Sequence, residues 1–254
     1  MAYEHAASFR FYEELNDFLA SDQRKKTIRY EFNGHPGIKD PIEALGVPHT
    51  EVDLIIVNTE SVGFDYRLQP GDRVAVYPMF ESFDISPLVK LRDQPLRRTA
   101  FIVDANLGKL ARRMRILGFD VLYDNRCSDG EIAALASEQH RIVLTRDRRL
   151  LFRKRLTHGY WVRSVVPDEQ VQEVVRRFDL YGQIRPFQRC LDCNGTLQSV
   201  AKNVILHQLQ PKTRRYYEVF YRCNGCGKIY WEGSHVANMR RRHLLPVQEQ
   251  TPIR

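Results

Sequence analysis

Residues 101–147 alternate short apolar runs with amphipathic stretches, and that alternation leaves few architectures open. Phe101-Ile102-Val103 is wholly apolar, as a strand buried on both faces of a parallel sheet must be. Asp104 follows. Leu107, Leu110, Ala111, Met114 and Leu117 then recur at helical spacing, with Asn106 placed to cap that helix and Gly118 to stop it. Asp120–Tyr123 reads as a second strand, a helix starts near Ser128, and Ile142-Val143-Leu144-Thr145 reads as a third strand before Asp147. Repeated strand-then-helix units are joined by right-handed crossovers, which makes the strands parallel. The expected fold class is therefore α/β. Asp104, Asp129 and Asp147 are expected to gather at the carboxyl ends of the strands, the edge where open parallel sheets bind ligands.

Carboxylates pressed together repel unless something neutralises them. A hard divalent cation does so, and Mg²⁺ or Mn²⁺ suits oxygen ligands. Asp104, Asp129 and Asp147 are thus candidate catalytic residues and magnesium or manganese ligands. Each also has a structural explanation. Asp104 and Asp147 could cap the helices that follow them, although Asn106 and Thr145 are placed for the same work. Ser128 and Glu131 have the spacing of a capping box, which Asp129 does not need. Asp120 and Asp124 read as solvated turn residues beside the second strand.

Charge separates along the chain. Residues 1–98 carry 12 Lys/Arg against 16 Asp/Glu, a net of −4, and residues 99–254 carry 27 against 15, a net of +12. The half with the acids is the basic half, which favours a polyanion such as nucleic acid as partner. Arg112 and Arg115 on the first helix, and Arg146, Arg148 and Arg149 around Asp147, are candidate phosphate contacts. Arg148–Arg155 reads as a short basic helix, Tyr160–Val166 as a fourth strand, and a helix starts at Pro167 and runs to about Phe178.

Of five cysteines, four form two C-x-x-C pairs, Cys190/Cys193 and Cys223/Cys226, and Cys127 stands apart. This pattern argues for metal in a reducing compartment over a disulfide framework. Four thiolates at knuckle spacing close a tetrahedral structural zinc site. The 29 residues between Cys193 and Cys223 exceed a minimal ribbon, so an inserted hairpin around Pro211 is expected. Tyr216, Tyr217, Phe220, Tyr221, Tyr230 and Trp231, interleaved with Arg214, Arg215 and Arg222, either supply the ribbon's small core or stack bases. His235 and His243 read as surface residues, and Arg240–Arg242 as a further basic cluster.

Ahead of Phe101 the patterning suggests strands at Ser8–Tyr12 and Thr27–Phe32, a helix at Ile38–Leu45, and strands at Asp53–Asn58, Gly63–Arg67 and Arg73–Tyr77. That order suggests a β-grasp fold. Val57–Val62 followed by Leu68–Pro78 resembles the end of the ubiquitin-like sulfur carriers. Those carriers finish on Gly-Gly, whereas this chain continues through Met79–Phe83. A docking or folding module, open to a protein partner, is the expectation.

Phe101–Asp104, Leu107–Arg112 with Arg115–Asp120, Asp129–Ile132 and Arg141–Asp147 together resemble the PIN-fold ribonucleases, and more closely the mut-seven C-terminal ribonuclease family. Cys190–Cys193 and Cys223–His235 are similar to the zinc ribbon that family carries, and some of its members have a ubiquitin-like N-terminal domain. The resemblance implies a Mg²⁺- or Mn²⁺-dependent ribonuclease with RNA as substrate. Many members of the PIN fold use a fourth acid near the fourth strand; here the strand offers Ser164 and then Asp168, which leaves the fourth ligand and the number of metals open. The expected organisation is a ubiquitin-like β-grasp module over residues 1–82, a linker over 83–98, a central PIN-like parallel-sheet α/β/α nuclease domain over 99–185, a zinc ribbon over 186–245 and a tail over 246–254. The alternative is a non-catalytic RNA- or ribosome-binding adaptor on the same fold. No run approaches the roughly 20 apolar residues of a membrane span, and Met1–His5 lacks the features of a secretory signal. A cytoplasmic protein is expected.

Overall fold

The structure, a computed structural model, describes residues 3–78 and 99–232. Met79–Phe83, the expected linker, His235, His243, Arg240–Arg242 and the tail lie outside the described residues. The chain divides into two compact units, one from residues 1–98 with 129–161 and the other from 99–128 with 162–254.

The first unit opens with strands β1 (His5–Phe11) and β2 (Ile28–Phe32), helix α1 (Lys39–Ala44), and strands β3 (Val52–Val57), β4 (Glu60–Val62) and β5 (Arg73–Pro78). They form one mixed sheet in the order β2-β1-β5-β3-β4, with β1 parallel to β5 and the other pairs antiparallel. This is the β-grasp that the patterning suggests. One strand is displaced: pairing falls on Glu60–Val62, and Gly63–Arg67 contributes only the isolated bridge of Arg67 to Gly37. The tight turn at Asn58-Thr59, both with positive φ, brings the chain back onto β3 at once. Phe9, Phe11, Ile38, Ile42, Ile55, Leu68 and Val76 fill the core beneath the sheet.

In the central region the strands and helices are β6 (Ala100–Val103), α2 (Gly108–Ile116), β7 (Asp120–Leu122), α3 (Asp129–Glu138), β8 (Ile142–Thr145), α4 (Arg148–Leu151), β9 (Gly159–Trp161) and α5 (Pro167–Arg177). Pairing is parallel throughout: β6 with β7, and β8 with β9. All four residues of β6 and of β8 are buried, as continuous apolar strands covered on both faces must be. Helices connect and flank the strands, so the class is α/β. Asn106 does not cap α2; it lies exposed inside a 3-10 turn, Ala105–Leu107, that carries the chain from β6 into the helix.

In the first unit, α4 and β9 are fastened to the β-grasp module. Leu151 belongs to its core, and Trp161 packs against that core. The ring of buried His49 contacts Glu43 Oε1 at 2.5 Å and the Leu156 carbonyl at 2.8 Å. Thr50 donates to the Leu151 carbonyl, and Trp161 N–H donates to Glu51 Oε1 at 2.6 Å. The module therefore acts as a folding partner for residues 148–161.

The second unit pairs α2 with α5 and continues into β10 (Leu197–Val200), α6 (Lys202–Ile205), α7 (Pro211–Tyr216), β11 (Phe220–Cys223) and β12 (Ile229–Trp231). The last three strands form an antiparallel sheet, β10-β11-β12. The insertion expected as a hairpin is instead helical. Pro211 sits at the first helical position, where its fixed φ and missing N–H are harmless, and Lys-Thr-Arg-Arg-Tyr continues the turn. Gly118 ends α2 with φ +98°, and a Cβ there would lie 1.9 Å from the Arg185 carbonyl oxygen. Gly118→Ala is expected to cost about 3 kcal/mol, since backbone strain and steric overlap add. A denaturation midpoint equivalent to less than about 1 kcal/mol of loss would contradict this packing.

Candidate active site and zinc knuckle

The cysteines come together. The ligand sulfurs of Cys190, Cys193, Cys223 and Cys226 all lie within 4.8 Å of one another, with Cys193 and Cys223 at 3.4 Å and Cys190 and Cys226 at 3.6 Å. Four sulfurs at this spacing, on two turns that approach from different strands, fit a tetrahedral zinc ion with no open position. Gly195 makes that approach possible: a Cβ there would meet the Cys223 sulfur at 3.0 Å. Burial opposes ionisation of Cys190. The Cys193 backbone N–H and the Tyr230 hydroxyl, 3.0 Å from the sulfur, nevertheless bring its pKa down to about 6. Cys193 goes the other way, pushed up by burial to about 12, and Cys226 is raised as well, so a metal ion would have to displace their protons.

The first knuckle is anchored to β7 through polar contacts. Asn194, whose φ of +63° is tolerable for Asn, accepts from the Val121 N–H at 3.0 Å and donates to Asp120 Oδ1 at 2.8 Å. Arg189 donates to the other Asp120 oxygen at 2.9 Å. Arg115, 4% exposed, donates to the carbonyls of Val121, Leu191 and Asp192. Burial lowers its pKa while the nearby thiols and acids oppose that fall. Asp120 is thus no solvated turn residue but the buried centre of this network. Asn194→Ala leaves Asp120 and the Val121 N–H short of partners, so it should cost about 2 kcal/mol. Thermal unfolding of the zinc-loaded protein would measure this, and an unchanged midpoint would show the anchor to be dispensable.

The carboxylates lie in both units. In the second unit Asp104 follows β6 directly and is only 7% exposed. Its side chain makes no capping bond to the 3-10 turn that follows. In the first unit Asp129 opens α3, with Oδ2 3.5 Å from the Arg153 guanidinium in a half-exposed pair. Asp147, also in the first unit, lies two residues past β8. Its Oδ1 accepts from the Arg149 N–H at 2.8 Å, so it caps α4, while the Thr145 hydroxyl accepts from the Asp147 N–H. Asp168, a candidate fourth acid, pairs with Arg113 at 2.7 Å. Ser164 donates to Glu169 at 2.7 Å.

Two of the five arginines expected on phosphate are committed to the scaffold. Arg115 holds the knuckle as described. Arg148 stacks 3.8 Å above the Trp161 ring centroid, lies 5.3 Å from that of Phe18, and donates to the Asp17 carbonyl. Arg146 and Arg149 are exposed in the first unit; Arg112, in the second, is an exposed partner of Asp192 at 3.3 Å. Sequence reasoning missed Asn194, Arg189 and Tyr230 as supports of the metal site. Adjacency to a cysteine was the only mark on Asn194 and on Arg189.

A β-grasp module, an α/β region with parallel strand pairs and an antiparallel sheet with four cysteines compatible with a structural zinc ion define an α/β protein. The chain belongs to the family of the Mut7-C RNAse domain, which it matches over residues 99–243, and it matches the Mut7-C ubiquitin family over residues 4–84. No curated protein and no solved structure matches it. Among the described residues, no helix is long and apolar enough to cross a membrane.

Proposed function

We propose that this protein is a divalent-metal-dependent ribonuclease that hydrolyses RNA phosphodiester bonds at Asp104, Asp129 and Asp147. The observation that carries the reading is the match to the RNAse domain family over residues 99–243, and the position of Asp104 supports it. Asp104 directly follows the wholly buried strand β6 and is itself nearly buried, and the carboxyl end of a parallel strand is where such sheets present groups to a ligand. The donor set is all carboxylate oxygen, which suits Mg²⁺ or Mn²⁺. Such a cation, when bound, supplies an activated water and stabilises the oxygens of an in-line displacement at phosphorus. Asp104 fixes the site through its burial, and the Arg149 N–H orients Asp147. Arg112, Arg146 and Arg149 hold the RNA phosphates, since guanidinium matches phosphate geometry and stays charged. The zinc ribbon is structural, and the β-grasp module offers a surface for a protein partner.

One observation favours the second reading, a non-catalytic RNA- or ribosome-binding adaptor. Asp129 and Asp147 both have structural duties, an ion pair and a helix cap. Labelled RNA incubated with and without Mn²⁺ separates the two. The ribonuclease cleaves only with the metal, whereas the adaptor binds RNA and leaves it intact under both conditions.

A further inference from the structure

Beside the zinc knuckle, α2, the segment 187–191, α7 and β12 enclose a cavity of about 600 Å³ within the second unit. That volume is within the usual range of small-ligand sites. Two kinds of side chain dominate its wall. Arg112, Arg115, Arg189, Lys212 and Lys228 are cationic, and Phe187, Tyr216, Tyr217, Tyr230 and Trp231 are aromatic; among the described residues, no Asp or Glu lines it.

The rings are braced. Phe187 stacks on Tyr221 at 4.8 Å, and Trp231 lies against Tyr217 and Phe220 at 6.2 and 6.4 Å. Tyr216 stands 68% exposed at the rim. Among the cations, Arg115 and Arg189 are used by the knuckle network. Arg112 and Lys228 share the single carboxylate of Asp192, and Lys212 is exposed. The cavity therefore carries positive charge in excess of its acids. An aliphatic anion would leave the rings unused, and a neutral apolar ligand would leave the cations unused. A nucleotide uses both, with its base on the rings and its phosphate on the cations. The chain's own last residues are a poor occupant, because 233–254 carry Arg240, Arg241, Arg242 and Arg254 against only Glu249.

We propose that this cavity binds one unpaired nucleotide of a single-stranded RNA, its base stacked on Tyr216 and Trp231 and its phosphate held by Lys212 and Arg112. The inference rests on RNA being the substrate, yet its test is independent of cleavage. The protein is the full zinc-loaded chain carrying Asp104→Asn, so that RNA stays intact, and Trp161→Phe, so that Trp231 is the only tryptophan. A five-nucleotide single-stranded RNA should quench Trp231 fluorescence, and an RNA duplex should not. Tyr216→Ala should weaken the RNA affinity about tenfold, the effect of losing one base–aromatic stack. Lys212→Ala should lower the slope of log affinity against log salt by about one.

AMP binding as tightly as the oligomer would assign the cavity to a free nucleotide and overturn the RNA form. Equal displacement by poly-glutamate would reduce the site to an unspecific charge sink. Quenching that appears only after removal of residues 233–254 would give the cavity to the chain's own tail. No quenching, or quenching indifferent to Tyr216→Ala, would refute the proposal even if the unmodified protein cleaves RNA. Quenching by a protein whose unmodified form never cleaves RNA would instead keep the cavity and remove the nuclease.

Discussion

Asp104→Asn is expected to lower RNA cleavage about a thousandfold and to leave RNA affinity within about twofold of the parent. The first figure is what loss of one charged group at a transition-state site costs, two to three orders of magnitude. Asn keeps the shape of the side chain and removes its charge, so the loss is one of metal affinity and electrostatics. Asp104 differs from Asp147 in making no side-chain capping bond to the turn that follows it. Asp129→Asn also breaks the pair with Arg153, and Asp147→Asn also alters the cap of α4, so their losses mix catalysis with stability. Cleavage rates under single-turnover conditions, measured beside binding by filter retention, separate the two quantities. A variant that cleaves as fast as the parent would remove Asp104 from the mechanism.

Removal of zinc from the four-cysteine site is expected to unfold the ribbon. Among the described residues, the hydrophobic core of β10–β12 consists of Ile205, Leu209 and Phe220, with Val200, Tyr217, Ile229 and Trp231 only partly buried against them. Full burial of one such side chain contributes about 1.5–3 kcal/mol, which three residues cannot set against the ordering of some forty. Structural zinc contributes about 10–16 kcal/mol in isolated zinc fingers. Cys223→Ser, at a buried position, should therefore abolish one-to-one zinc content and the near-UV signal of Trp231. Because Asn194 and Arg115 tie the knuckle to β7, the loss should reach the α2–β7 region as well. The β-grasp core and the β8–β9 pair, in the other unit, should persist. Elemental analysis, together with amide exchange followed along the chain, measures both effects. A metal-free protein with an ordered ribbon would contradict this account.

Much of the architecture was legible because it rests on periodicity and spacing. Phe101-Ile102-Val103 and Ile142–Thr145 have the unbroken apolar pattern of doubly covered strands, and the two C-x-x-C pairs have the spacing of a four-thiolate metal site. Gly118 marked the end of α2 for a steric reason that the structure makes explicit. The failures have another origin. Asp120 looked like a turn residue because its partners, Arg189 and Asn194, are about seventy positions away. Arg148 looked like a phosphate ligand because a basic run conceals which arginine a tryptophan will stack against. The 29 residues between the cysteine pairs gave no clear period, and Pro211 is as compatible with a helix start as with a hairpin. Of the candidate site, the cysteines could be read from spacing alone. The acids could be read as positions at strand ends, and Asp104 and Asp147 as possible caps, but nothing in the sequence showed that Asp147 alone of those two makes the capping bond or that Asp129 pairs with Arg153.

The chemistry of the cut ends tests the central proposal most directly. Single-stranded RNA incubated with the protein and Mn²⁺, then analysed for its new termini, should yield linear phosphate ends, with no product when Mn²⁺ is omitted. This follows from attack on phosphorus by water, which adds across the broken bond. Accumulation of 2′,3′-cyclic phosphate ends, at a rate indifferent to the metal and to Asp104→Asn, would mean that the RNA's own hydroxyl is the nucleophile and that the carboxylates play no part.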